Sequence, residues 1–157
     1  MRGEIRDVAK YKQAKLLNHS GWAGKLKRKI TPSDVDMVIE SRKGHFLLVE
    51  LKDKETDWTQ LDKGQLMMYQ QFARNDWKQI PVLACHEPVE PEQQIDTLQD
   101  ITTFSLMIKT QWGEKIEYWT RRFDGNDQWQ KFVIRFVNGD LQLNEVRAMV
   151  SKEAQRI

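Results

Sequence analysis

Four residues of this chain have the types and spacing for phosphoryl chemistry: Asp34, Asp36, Glu50 and Lys52. They lie in T-P-S-D-V-D-M-V-I-E-S-R-K-G-H-F-L-L-V-E-L-K, residues 31–52, which reads as two β-strands, at about 34–41 and 45–52, joined by a tight turn. Side chains alternate faces along a strand, so Asp34 shares a face with Asp36, and Glu50 shares one with Lys52. Carboxylates and an amine gathered on adjacent strands can hold a divalent cation beside a phosphodiester. Metal-dependent cleavage of nucleic acid is therefore the leading expectation.

Whether the acids meet depends on the turn. A two-residue loop at Lys43-Gly44 pairs Arg42 with His45 and sends the two acid groups to opposite faces. A three-residue loop, Arg42-Lys43-Gly44, pairs Ser41 with His45 and sets Asp36 opposite Glu50 and Asp34 opposite Lys52. Three-residue loops favour a left-handed residue in last place, and Gly44 stands there. Opposed Cβ atoms lie about 4.5–5.5 Å apart. Two carboxylates so close repel unless one is protonated or a cation lies between them. Mg²⁺ or Mn²⁺ would relieve that repulsion, and hard cations of this kind take oxygen ligands.

The second strand is apolar on both faces from Phe46 to Val49, the pattern of a central strand covered on both sides. A carboxylate and an ammonium at the end of such a strand must be paired, metal-bound or wet. The plain alternative is a Glu–Lys pair entering solvent where the strand stops.

The remaining elements must position these groups. A loosely periodic helix is expected from about Glu4 to Leu17, then a basic connector over 22–30. A second helix is expected from about Trp58 to Asn75, with Thr56 or Asp57 as its cap. A buried strand follows at 80–86, then two strands at 101–110 and 115–120 around Trp112-Gly113. Trp129, Phe132, Val133 and Phe136 have helical spacing, and a terminal helix is expected over 144–156. A helical crossover between strands of one sheet makes them parallel. The expected fold class is α/β, a mixed β-sheet flanked by helices. It forms a single domain over 1–157, with the core in 1–120 and a C-terminal helical extension in 121–157.

In the second helix Gln65, Tyr69, Phe72 and Ala73 share a face. A glutamine in an apolar stripe needs a partner, and its amide can donate to a phosphate oxygen or a metal-bound water. Lys25, Lys27, Arg28 and Lys29 precede the hairpin and are candidate contacts to a nucleic-acid backbone, as is Tyr69. A short charged run is more often a solvated loop. Trp112, Trp119 and Trp129 are weaker candidates for base stacking, since tryptophans more often pack a core.

Composition narrows the class. With 39% hydrophobic and 31% charged residues the chain reads as globular, not disordered. One cysteine, Cys85, excludes an internal disulfide and fits a reducing, cytoplasmic setting. One Cys and three scattered His offer no zinc-ligand spacing. No apolar run reaches the length of a membrane span, and no secretory signal is visible. A net charge of +2 neither demands nor excludes a nucleic-acid partner.

Asp36, then Glu50-Leu51-Lys52, then Gln65-Leu66-Met67-Met68-Tyr69, resembles the PD-(D/E)XK nuclease superfamily. The Gln-x-x-x-Tyr element is similar to that of its RecB-like exonuclease branch. The order T-P-S-D-V-D, E-L-K, G-Q is similar to small phage and bacterial members with T-D-I-D, E-x-K and Gly-Gln segments. The resemblance covers roughly residues 31–120 and implies a three-layer, restriction-endonuclease-like core with Mg²⁺- or Mn²⁺-dependent phosphodiester cleavage, DNA before RNA. It implies Asp36 and Glu50 as metal-binding acids, with Asp34 able to share the role of Asp36. It implies Lys52 as the catalytic lysine and Gln65 as the helix residue near phosphate or water. Ser33 stands where an acid is often found. The rival class is an inactive nuclease-fold module that binds nucleic acid or a protein, such as a phage factor acting on a host enzyme.

Overall fold

The computed structural model describes residues 35–74, 78–90 and 92–157. Lys25, Lys27, Arg28, Lys29, Asp34 and the expected first helix lie outside the described residues. Val35–Ile157 forms one compact unit.

Its centre is a six-stranded sheet whose spatial order follows the chain. The strands are β1 (Met37–Glu40), β2 (Phe46–Asp53), β3 (Gln79–His86), β4 (Ile101–Trp112), β5 (Lys115–Asp124) and β6 (Gln155–Arg156). All neighbours are antiparallel except β2 and β3, which run parallel. The connection between that pair carries a 3-10 turn (Trp58–Gln60) and helix α1 (Lys63–Arg74). Helices α2 (Asn126–Val137) and α3 (Leu143–Ser151) follow β5. The fold is thus α/β with a mixed sheet. Among the described residues no helix is long and apolar enough to cross a membrane.

The alternation along β2 explains why both faces are covered. Leu47 and Val49 point into one apolar cluster, with Ile80, Val82, Phe104, Leu106 and the buried side chains of α2 and α3. Leu48 points into the other, with Leu83, Met107, Trp58, Tyr69 and Ala73. Each face is dry because a helix layer lies on it, as a continuously apolar strand demands. Glu50 has the parity of Leu48, so it points toward α1.

The expected C-terminal helical extension over 121–157 is corrected in two respects. β5 runs on to Asp124, past the expected core boundary at 120, and Gln155–Arg156 pairs with Trp119 and Thr120 as a short strand. Trp129, Phe132 and Phe136 of α2 and Val146 and Val150 of α3 are buried in the main core, where Phe104 stacks on Phe123 and Phe132. This segment is a structural layer, not an appendage.

Candidate active site

The hairpin has the three-residue loop. Ser41 N donates to His45 O at 2.8 Å and Gly44 N donates to Ser41 O at 3.0 Å. The Ser41 hydroxyl oxygen also accepts from Lys43 N and His45 N, which ties the loop to its own first strand. Gly44 has φ +71°, the left-handed conformation that a side chain makes costly. The resulting register pairs Met37 with Val49 and Glu40 with Phe46. Continued one residue outward, it sets Asp36 opposite Glu50.

Asp36 is exposed at the mouth of the hairpin, and its Oδ2 accepts from Leu51 N at 2.8 Å. That bond fixes the carboxylate beside β2. Its charge is felt by both Lys52 and Tyr69, which lie on the α1 side of the sheet.

Glu50 is 1% exposed, and three donors converge on it. Gln65 Nε2 donates to Oε1 at 2.9 Å, Lys52 Nζ lies 2.8 Å from the same oxygen, and Tyr69 OH donates to Oε2 at 2.7 Å. A buried carboxylate is tolerable only with such compensation, and charge-assisted bonds are the stronger kind. Burial acts to lower the Lys52 pKa, yet its bond to Glu50 and the charges of Glu50, Asp36 and Asp62 outweigh this and raise it. Burial first, then the hydrogen bond and charge of Glu50, push the Tyr69 hydroxyl far above its ordinary range. Tyr69 is therefore a neutral donor at all working pH values.

The helix that delivers these donors is itself capped from the site. Asp62 Oδ1 accepts from Gln65 N at 2.8 Å, three residues on, in the manner of an N-cap. A Cβ at Gly64 would stand 3.2 Å from that same oxygen, so the glycine leaves room for the cap. The helix expected from Trp58 is in fact two pieces. Asp57 caps the 3-10 turn in a capping box with Gln60, and α1 starts anew after Asp62. Two D-x-x-Q strings, at 57–60 and 62–65, were the signal for this break. In the second string the glutamine amide turns to Glu50.

Asp36, Glu50, Lys52 and Gln65 are thus brought to one end of the sheet; Lys52 and Gln65 line a cleft of about 600 Å³ there with Lys54, Glu55, Gln60 and Asp62, and neither Asp36 nor Glu50 is part of its lining. The nucleic-acid contact expected of Tyr69 is corrected: its ring is fully buried, edge-on to Trp58 and Phe72, and its hydroxyl faces Glu50. Gln65 likewise meets Glu50 directly. Cys85 and His86 lie on β3 beside Lys52 and Asp53, the thiol against Thr56 O and the imidazole against Glu87 O. Trp129 is buried and bonded to Thr97 O, Trp119 is bonded to Thr110, and Trp112 is exposed at the β4–β5 tip.

The donor set suits a hard cation in type. Two carboxylates are enough for Mg²⁺, which completes its shell with water and phosphate oxygens. A carboxylate offers about four lone-pair positions. Among the described residues, three are taken on Glu50 and one on Asp36. Among the described residues no group of three or more His, Cys, Asp or Glu side chains stands close enough to hold a metal ion.

No protein-family model, no curated protein and no solved structure matches the chain.

Proposed function

We propose that this chain is a nuclease that hydrolyses phosphodiester bonds of nucleic acid, DNA before RNA. Asp36 and Glu50 would hold Mg²⁺ or Mn²⁺. The observation that carries the reading is the convergence of Lys52 and Gln65, which line one cleft, on the buried Glu50 behind them, with Asp36 in register across the hairpin. An ion bound there supplies Lewis acidity toward a phosphoryl oxygen and a more acidic water.

The side chains account for the rest. Gln65 and Tyr69 hold the Glu50 carboxylate in one orientation. Lys52 stays an ammonium, since its pKa is raised, so it supplies positive charge to the phosphate and does not act as a free-amine base. Gln65 lines the cleft while bonded to Glu50, so it links the buried acid to the place where a phosphate would lie. A sheet with helices on both faces is compatible with a restriction-endonuclease-like core. That assignment, a cytoplasmic site of action and a phage setting belong to the same proposal.

One observation favours a second reading. Three protein donors already satisfy Glu50, so the fold needs no cation to tolerate its burial. The chain would then be a nuclease-fold module that binds nucleic acid or a protein without cleaving.

The two readings separate by incubating the protein with end-labelled DNA and RNA of several shapes, in Mg²⁺, Mn²⁺ or EDTA. Metal-dependent product supports the nuclease. No product from any substrate, together with no heat of Mn²⁺ binding, supports the module.

A further inference from the structure

Glu50 lies behind two side chains that stand in the wall of the cleft. Lys52 and Gln65 both line that cleft, and both bind the same oxygen of Glu50, Oε1, at 2.8 and 2.9 Å. A carboxylate oxygen offers about two lone-pair positions, so these two partners fill Oε1. The other oxygen, Oε2, takes the Tyr69 hydroxyl at 2.7 Å. Glu50 itself is buried and is not part of the cleft lining.

The three donors differ in freedom. The Tyr69 ring is fully buried and edge-on to Trp58 and Phe72, so its hydroxyl is locked in place. Lys52 is partly exposed, and its ammonium ends a flexible four-carbon stem. Gln65 is half-buried; Asp62 fixes its backbone N–H, while its amide sits at the end of a rotatable side chain. Oε1 therefore has two movable partners on the cleft side, and Oε2 has one fixed partner on the core side. A cation approaching Oε1 from the cleft must displace at least one of the movable pair. It repels the Lys52 ammonium directly, whereas neutral Gln65 yields only by competition. A phosphate oxygen in the cleft is an anionic acceptor suited to both donors.

We infer that Lys52 and Gln65 form a latch over Glu50. Closed, it shields Oε1 from the cleft; a phosphate of the nucleic acid draws the two donors away, and the ion takes the freed oxygen. Gln65 is then a positioning residue that sets when the acid is available. The latch rests on the nuclease reading for its ion, but its test reads binding and not turnover.

The test is calorimetry of Mn²⁺ binding in the absence of nucleic acid. Gln65→Ala removes the neutral half of the latch and leaves every charge in place. A latch closed about nine-tenths of the time weakens binding about tenfold, so Gln65→Ala should bind Mn²⁺ roughly tenfold more tightly than the unaltered protein. Tyr69→Phe also takes one bond from Glu50, but on the core-side oxygen, and should bring no tightening. The double variant E50Q/Q65A should lose the gain, which ties it to the acid. Circular dichroism checks that each variant is folded. A purely structural Gln65 would act in the other direction, since its loss would loosen Glu50 and weaken the site. Affinity in Gln65→Ala equal to or below that of the unaltered protein overturns the latch, as does equal tightening in Tyr69→Phe or a gain that survives in E50Q/Q65A. A protein that cleaves in Mn²⁺ without tightening in Gln65→Ala loses only the latch. Tightening with no cleavage of any nucleic acid keeps the latch and loses the nuclease reading. No heat of Mn²⁺ binding in either the unaltered protein or Gln65→Ala ends both.

Discussion

Tyr69 donates its hydroxyl to Glu50 Oε2 at 2.7 Å, and both residues are shut off from solvent. The pair joins helix α1 to strand β2 through a neutral donor and a buried acid. Tyr69→Phe keeps the ring packing and removes one bond to a charged group, a loss of about 1.5–3 kcal/mol. Urea unfolding should show a lower midpoint of that size. Turnover should fall while KM for nucleic acid holds, because the ring never reaches the substrate. A raised KM with unchanged turnover would restore Tyr69 as a contact.

Lys52 predicts a pH response by its sign. Its folded pKa lies above the ordinary value of 10.5, through the bond to Glu50 and the charges of Glu50, Asp36 and Asp62 working against burial. The stability it contributes is therefore complete below that unfolded value and is lost only as pH rises through the higher folded one. The side chain is about a third exposed, so solvent screens much of that contribution. Between pH 6.5 and 9.5 the cleavage rate should show no inflection from this group. Lys52→Arg should keep more activity than Lys52→Met. A basic limb near pH 8 that shifts in Lys52→Arg would make the lysine a base.

Gly44 pins the register that brings Asp36 to Glu50. At φ +71° an alanine there should cost about 1–2 kcal/mol, and asparagine less. Chemical denaturation of Gly44→Ala should show a lower midpoint with an unchanged slope. No loss of stability would mean that the loop tolerates another conformation and that the register is not set there.

The hairpin was legible in the sequence because its determinants are local. A glycine in last place of the loop, and alternation on both sides, fix which residues oppose each other. The parallel crossover was legible for a similar reason, since a helix between strands leaves little choice. The role of Tyr69 was not. Four-residue spacing puts Gln65 and Tyr69 on one face of α1, but it does not say whether their polar ends meet a ligand or a buried acid. The break before Asp62 was written in the repeated D-x-x-Q pattern. It was masked by a hydrophobic stripe that reads continuously from Trp58. The weight of α2 and α3 was hidden too. Periodicity shows that Trp129, Phe132 and Phe136 share a face, while the sheet surface they cover is set by distant strands. Gln155–Arg156 is a strand only because Trp119 and Thr120 are there to pair with it.

The most direct measurement is the rate at which Glu50→Gln cleaves a labelled DNA substrate in Mg²⁺ or Mn²⁺, set against the unaltered protein. Glutamine keeps the size of the side chain and an acceptor for Tyr69, so the fold should survive, and thermal unfolding checks that it does. If Glu50 holds a catalytic metal, the unaltered protein cleaves in a metal-dependent way and folded Glu50→Gln loses at least about 100-fold, in line with the removal of a group that stabilises the transition state. Cleavage at the original rate by folded Glu50→Gln would contradict it.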